Sequence, residues 1–410
     1  MAGGLLRRYP RCHGTPVGEV ARQLGVRIGL MSISTLPQES DGSGRKPFAA
    51  IVFGGRSSEH AVSCSTATSV LRAIDRSRFD VVPIGIARDG RWLLMADDSE
   101  PLQLSASCTP SIEGDTTALT SADPDSREVI VFPPNEVSRT LTVVDVVFPL
   151  LHGPFGEDGT LQGLLDLGDV RYVGSGVAAS AIMMDKTLMK VVFAAAGLPV
   201  GRHVVITDKE WRRDKAACLH PIASLGLPVF VKPARAGSSV GVIKVDTFEA
   251  VEAAIDKARQ SDLKVLVEVA SPGREVECGV LEGRGADAPR ASEIGEIAIT
   301  GNKHTFYDFE AKYLDSSAQL TCPANLPSDI SAEIKQLSVK AFEVAGCEGL
   351  ARVDWFYESG GRLVLNEINT MPGFTPSSMF PRMWSVTGLD YTELITELIE
   401  LALEHCVSLR

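Results

Sequence analysis

At 410 residues with 44% hydrophobic residues, the chain has material for two or three ordinary globular cores. Its net charge of −12, with no lysine- or arginine-rich block beyond residue 46, argues against nucleic acid as a partner, and no apolar run is long enough to cross a bilayer. The eight cysteines are scattered, with no C-x-x-C pair and no histidine at metal spacing, which points to free thiols in a reducing, cytoplasmic compartment.

Residues 1–46 carry seven basic side chains against three acidic ones and end in the turn-rich run PQESDGSGRKP. They lack the continuous apolar core of a signal peptide. Two readings stand: a disordered extension, or an over-long start with initiation at Met31. From Pro47 strands and helices alternate. FAAIVFGG reads as a buried strand ending in glycines, Ser63–Ile74 as a helix and FDVVPIGIA as a second strand. Residues 97–139, rich in Ser, Thr, Pro and Asp, read as a long loop or insertion. VVDVVFPLLHG is the next strand, followed by a helix over 159–167 and a short strand at VRYVG. This β-α-β order predicts an α/β fold with a parallel sheet whose ligands gather at the strand C-termini.

A second unit, 176–268, opens with one long helix, AASAIMMDKTLMKVVFAAAG, and has strands at 204–206, 227–233, 240–245 and 264–269. The third, 269–410, has strands REVECGVLE and GEIAI, a polar loop over 301–325, a helix over 329–346 and a strand pair, Leu350–Tyr357 and Arg362–Leu365. It ends in an amphipathic helix, where the spacing of Leu394, Ile395, Leu398 and Leu401 is that of core packing. No internal repeat is visible.

The most informative stretch is GLARVDWFYESGGRLVLNEINTMPG (349–373). Residues two apart in a strand share a face, so Arg352 and Asp354 point one way together, as do Glu367 and Asn369. Pairing the strands gathers two carboxylates, an amide oxygen and a guanidinium. Hard oxygen ligands of that kind suit Mg²⁺; a charged surface hairpin is the alternative. A second constellation is VFVKPARAGSSVGVIKV (229–245), where Lys232 precedes a loop of Gly237, Ser238, Ser239 and Gly241. Such a loop can cover polyphosphate with backbone N–H groups while the lysine neutralises charge, although a ligand-free tight hairpin has the same composition. It is not a Walker A loop, because no G-K-[ST] follows and no helix opens after it. Lys186, in Met184-Asp185-Lys186, supplies another cation at a helix start.

Taken in order, GGRSSEHAVS (54–63), LHGPFGEDGTLQG (151–163), M-D-K (184–186), V-K-P-x-x-x-G-S-S-x-G (231–241), E-A-K-Y (310–313), R-x-D (352–354) and N-E-I-N-T-x-P-G (366–373) resemble the D-alanine–D-alanine ligases, a family of ATP-grasp enzymes. The resemblance spans about residues 47–405. It implies a Rossmann-like N-terminal domain (47–175) and an ATP-grasp fold whose central (176–268) and C-terminal (269–410) subdomains clasp ATP. It further implies that ATP phosphorylates one D-alanine carboxylate and that the amine of a second D-alanine attacks the acyl phosphate, in a cytoplasmic homodimer serving peptidoglycan synthesis.

Site roles follow from the same resemblance. Lys186 and Lys232 hold the α- and β-phosphates and Lys312 reaches the γ-phosphate; Gly237, Ser239 and Asn366 complete the ATP contacts, with Glu268 and Glu275 at adenine and ribose. Asp354, Glu367 and Asn369 bind two Mg²⁺ (or Mn²⁺). Arg352 and the Gly373 N–H stabilise the transferring phosphoryl group and the oxyanion. Glu59 anchors the first D-alanine's ammonium, His152 belongs to the same region, and Ser378 holds the second D-alanine's carboxylate. Glu59, Ser238 and Tyr313 tie loop and lid together. Related depsipeptide ligases lack this tyrosine, so Tyr313 favours D-alanine as second substrate. A D-lactate or D-serine ligase of the same fold is the nearest alternative, and a silent nucleotide-binding regulator the next, although every matched position is filled. A dinucleotide-dependent dehydrogenase is rejected, because GGRSSE lacks the third glycine of G-x-G-x-x-G and the second strand ends in Ala87 rather than an acid.

Overall fold

The computed structural model describes residues 45–405 except 98–109, 111, 122 and 300–317. Residues 1–44 of the basic extension and Lys312 and Tyr313, expected to serve the lid, lie outside the described residues.

Three sheets follow one another along the chain. The first contains β1 (Phe48–Gly54), β2 (Asp80–Ile86), β3 (Trp92–Leu94), β4 (Thr117–Thr120), β5 (Glu128–Phe132), β6 (Arg139–Val143), β7 (Val146–Pro149) and β8 (Arg171–Tyr172). Its order is β6-β5-β4-β3-β2-β1-β7-β8. Strands β2, β1, β7 and β8 are parallel, as the β-α-β pattern predicts. The other half is antiparallel, so the sheet is mixed rather than parallel throughout. Two strands of that half, β4 and β5, come from the stretch expected to be a loop, and β6 begins at its last residue. Ala118, Val129 and Val131 are fully buried, so TALT and EVIVF alternate as half-buried strands do, even between polar turns. Helix α1 (His60–Ala73) begins three residues earlier than the sequence suggests, directly after the glycine loop that ends β1. Helix α2 (Thr160–Leu167) precedes β8.

The single long helix expected next is two, α3 (Val177–Met184) and α4 (Lys186–Ala195). Asp185 breaks it. The Asp185 backbone leaves helical geometry at ψ 98°, its carboxylate accepts from the N–H groups of Thr187 and Leu188, and Lys264 pairs with it at 2.6 Å. Aspartate competes in this way for backbone donors and favours a helix start over a helix interior. Lys186 therefore stands at a helix N-terminus.

The second sheet runs β11-β10-β12-β9, with β9 (His203–Thr207), β10 (Val229–Pro233), β11 (Ile243–Val245) and β12 (Lys264–Val269), all antiparallel. Strand β11 starts later than residue 240, because Ser238, Ser239 and Gly241 occupy the left-handed region and keep the chain in a loop. The third sheet, β15-β14-β13-β16-β17, contains β13 (Arg274–Leu281), β14 (Arg290–Ile299), β15 (Ala318–Thr321), β16 (Leu350–Tyr357) and β17 (Leu363–Asn369). Strand β17 continues past Leu365 to carry Glu367 and Asn369 within the sheet, and β15 takes the end of the stretch expected to be polar loop.

Helices α5 (Ser328–Ala345), α6 (Met379–Thr387) and α7 (Tyr391–Glu404) complete the C-terminal part. Leu394, Ile395 and Leu398 are fully buried in one core with Ile51 and Phe148 of the first sheet. Phe374 packs edge-on to Phe148 and beside Phe380 and Tyr391, so the chain's last helices seal its first sheet. Each enclosed aromatic of this kind contributes about 1.5–3 kcal/mol through surface removed from water. Cys64, Cys218, Cys278, Cys322 and Cys347 carry free thiols. Among the described residues no helix is long and apolar enough to cross a membrane.

Candidate active site

A cleft of about 900 Å³ is lined by the loops and helix that follow strands of the first sheet and by residues of the second and third sheets. The loop after β1 turns through Gly54 and Gly55 in left-handed conformations and brings Glu59 to the start of α1. The Glu59 carboxylate does not cap its own helix; it accepts from Ser238 Oγ, 179 residues away in the β10–β11 loop. A Cβ at Gly237 would come 2.6 Å from Glu59 Oε2, and one at Gly153 2.5 Å from the same atom. The two glycines leave room for a carboxylate wedged between two backbones, and a side chain at either would displace it.

Strand β10 delivers Lys232. Its Nζ lies 3.1 Å from Glu268 Oε2 on the neighbouring β12 and 3.5 Å from Asn366 Oδ1. The other Glu268 oxygen takes Lys190 Nζ at 2.5 Å, and both Lys190 (1% exposed) and Glu268 (5%) are buried. Burial pushes the Glu268 carboxyl up, but Lys232 and Lys190 outweigh it and bring it down to about 2. Burial likewise opposes the charge on Lys232, and Glu268 and Glu367 hold its pKa above the ordinary lysine value. Lys186 Nζ donates to the Ala236 carbonyl at 2.9 Å and lies 3.2 Å from Glu367 Oε2.

The β16–β17 pair places its four polar residues as alternation predicts: Arg352 opposite Asn369, Asp354 opposite Glu367. A bulge follows Asp354, where Asn366 is the unpaired residue, and this turns Asn366 toward Lys232. Arg352 grips Asp354 with two bonds of 2.7 Å and lies 3.3 Å from Glu277 Oε1. Asn369 Nδ2 donates to Asp354 Oδ2 at 3.0 Å. Among the described residues no three His, Cys, Asp or Glu side chains already form a metal cluster. The donor set of Asp354, Glu367 and the Asn369 amide oxygen nevertheless fits a hard divalent cation. In this structure Arg352 and Lys186 rest on the same two carboxylates.

Beyond β17, Gly373 lines the cleft, and a Cβ there would sit 3.3 Å from Ser378 Oγ. Ser378 Oγ accepts from the Thr375 N–H at 3.1 Å. His152, three residues beyond β7, is 5% exposed; its Nδ1 lies 3.2 Å from the Met371 carbonyl, so Nδ1 carries the proton and Nε2 is buried without a partner among the described residues. Loss of water around His152 lowers its pKa and keeps it neutral. Glu275, on β13, also lines the cleft.

The cleft therefore gathers Glu59, His152, Lys186, Lys232, Gly237, Ser238, Ser239, Glu268, Glu275, Arg352, Asp354, Asn366, Glu367, Asn369, Gly373 and Ser378, all the expected site residues except the two outside the described residues. Sequence reasoning missed Lys190, Glu157 and Glu277. A lysine four residues after Lys186 on an apolar helix face was a readable signal for the first. Glu157 stood unused inside LHGPFGEDG, and Glu277 alternates with Glu275 on one strand.

Residues 49–175 match the family described as D-ala D-ala ligase N-terminus, and residues 192–400 the one described as D-ala D-ala ligase C-terminus. A D-alanine–D-alanine ligase of Pseudarthrobacter chlorophenolicus is 55% identical over 367 residues, covering 89% of this chain and 96% of the relative. Two solved structures are similar throughout. The VanG D-Ala:D-Ser ligase of Enterococcus faecalis aligns with a TM-score of 0.74 at 33% identity, covering 87% of this chain and 100% of that one. The D-alanine–D-alanine ligase of Coxiella burnetii aligns with a TM-score of 0.72 at 32% identity, covering 88% and 94%. Both halves of the family pattern, the fold and the full-length relatives thus converge, and the chain belongs to the D-alanine–D-alanine ligase family of ATP-grasp enzymes.

Proposed function

We propose that the protein uses ATP to join two D-alanines into D-alanyl-D-alanine for peptidoglycan synthesis, releasing ADP and phosphate. The observation that carries this reading is one cleft holding an ammonium-type anchor, Glu59, tied through Ser238 to a loop flanked by phosphate-type lysines. Lys186 and Lys232 take the α- and β-phosphates, with Gly237, Ser239 and Asn366 around them. Glu268 acts first as the counter-ion that orders Lys190 and Lys232, and Glu275 faces the ribose. Asp354, Glu367 and Asn369 would hold two Mg²⁺ or Mn²⁺ ions, whose contribution is to offset phosphate charge that repels an incoming carboxylate.

Glu59 and the proton-free Nε2 of His152 accept from the ammonium of the first D-alanine and orient its carboxylate toward the γ-phosphate. Attack of a carboxylate oxygen on the γ-phosphorus forms the acyl phosphate as the phosphorus–oxygen bond to ADP breaks and ADP leaves. The amine of the second D-alanine, its carboxylate held by Ser378, then attacks the carbonyl carbon. Arg352 and the Gly373 N–H stabilise the negative charge that develops on oxygen, and phosphate leaves. Lys312 and Tyr313 complete the γ-phosphate contact and the lid. The three sheets support a division at 47–175, 176–268 and 269–410. A cytoplasmic homodimer completes the proposal.

The test is a D-alanine-dependent phosphate-release assay with product identification by mass spectrometry. Dipeptide should form only with D-alanine and ATP together. Faster formation of a D-lactate or D-serine product would move the second-substrate assignment, and phosphate release independent of D-alanine would overturn the reading.

A further inference from the structure

Met371 lies two residues before Gly373, in the loop that leaves β17. Both of its backbone polar groups are held by side chains of one other loop, 152–157. The Met371 N–H donates to Glu157 Oε1 at 3.3 Å, across 214 residues of sequence, and its carbonyl accepts from His152 Nδ1 at 3.2 Å, across 219. The second Glu157 oxygen accepts from the Gly153 N–H at 2.5 Å. Gly153 in turn abuts the Glu59 carboxylate. A continuous chain of contacts thus runs from the ammonium anchor, through Gly153 and Glu157, to the residue that precedes the Gly373 turn.

A backbone segment gripped at both its N–H and its carbonyl cannot rotate about its own axis without breaking one bond. Solvent or a single side chain would satisfy Met371 without fixing its direction. We infer that His152, through Nδ1, and Glu157 are positioning residues that aim the Gly373 N–H at the developing oxyanion by clamping Met371 between them. The inference rests on the oxyanion role given to Gly373 above. It makes the two side chains act on the rate of the chemical step rather than on ATP binding, since a donor displaced by about 1 Å loses about 10²-fold in rate.

The two histidine nitrogens allow a direct test. The amide nitrogen of His152→Asn falls where Nδ1 stands and can still donate to the Met371 carbonyl; that of His152→Gln falls where Nε2 stands and cannot. The clamp predicts that His152→Asn, although it gives up the Nε2 contact to the ammonium and so loses activity, keeps at least about tenfold more kcat than His152→Gln, which loses about 10²-fold. Glu157→Gln, with one acceptor in place of two, should lower kcat with calorimetric ATP affinity within about twofold. It should also speed hydrogen exchange of the Met371 and Gly373 amides. The inference fails if His152→Asn falls as far as His152→Gln, if Gln keeps kcat and Asn loses it, or if all variants turn over like wild type. Dipeptide formation by the wild-type enzyme, measured alongside, separates failure of the clamp from failure of the ligase reading.

Discussion

Two glutamates in the same cleft show how neighbours, rather than burial, decide what a buried carboxyl does. Glu268 sits between Lys190 and Lys232, and although loss of water pushes its pKa up, the two lysines bring it to about 2. Glu157 feels the same loss of water, and the charge of nearby Glu59 adds to it, so its pKa rises to about 8. Its two backbone donors and the more distant Lys186 only partly offset this. The first neighbourhood is preset with compensated positive charge where polyphosphate is proposed to bind. The second keeps surplus acid where an ammonium is proposed to bind. A substrate amine completes the second much as the lysines complete the first.

The largest effect expected from breaking this contrast is at Glu268. Glu268→Gln leaves two lysines facing each other with only the weaker influence of Glu367 to offset them and should cost about 3–5 kcal/mol in urea-induced unfolding. Adding Lys190→Met should recover part of that loss, because removing both members of a buried pair is far cheaper than removing one. A single-variant cost below about 1 kcal/mol would mean the pair is solvated.

At the other neighbourhood the expected signature is in pH. The unfolded chain releases the Glu157 proton near the ordinary glutamate value, whereas the folded protein keeps it to about 8, so this group's contribution is full at low pH and falls as pH rises through that window. Melting temperature should therefore decline between pH 5 and 8, and Glu157→Gln, which cannot ionise, should flatten that decline. An unchanged slope would place the effect in other groups.

Gly237→Ala probes the seam between the two neighbourhoods. The added methyl would meet Glu59 Oε2 at 2.6 Å, so the carboxylate must shift. The D-alanine KM should rise about tenfold, equivalent to about 1.4 kcal/mol, and the ATP KM, because Gly237 also borders the phosphates, by a smaller factor. The smallest effect belongs to an uncharged bond to the segment that follows Gly373: Tyr391 donates to the Phe374 carbonyl at 2.7 Å. Its removal in Tyr391→Phe should cost about 1 kcal/mol, a benchmark for how much of the Glu268 loss is electrostatic.

The sequence was most legible where chemistry is local. Strand alternation alone put Arg352, Asp354, Glu367 and Asn369 on one face, and the register pairs them as expected. Lys232 and the glycine-serine loop were legible for the same reason. Lys190 and Glu157 each stood within a readable stretch, but their roles were not legible, because their partners lie 78 and 214 residues distant. The helix break at Asp185 depends on a side chain competing for backbone donors within an otherwise continuous helical pattern. Strand β4 is short and half polar, and β5, although it carries the apolar run Val129–Phe132, stands in a stretch otherwise dominated by Ser, Thr, Pro and Asp.

The most direct test of the account follows oxygen. D-alanine labelled with ¹⁸O in its carboxylate is incubated with ATP, Mg²⁺ and the purified protein, and the released phosphate is analysed by mass spectrometry. Attack of the carboxylate on the γ-phosphate followed by attack of the second amine transfers one labelled oxygen to each phosphate. That result, with stoichiometric D-alanyl-D-alanine, is what the cleft predicts; unlabelled phosphate would contradict the acyl-phosphate route and the roles given to Glu59, Arg352 and Gly373.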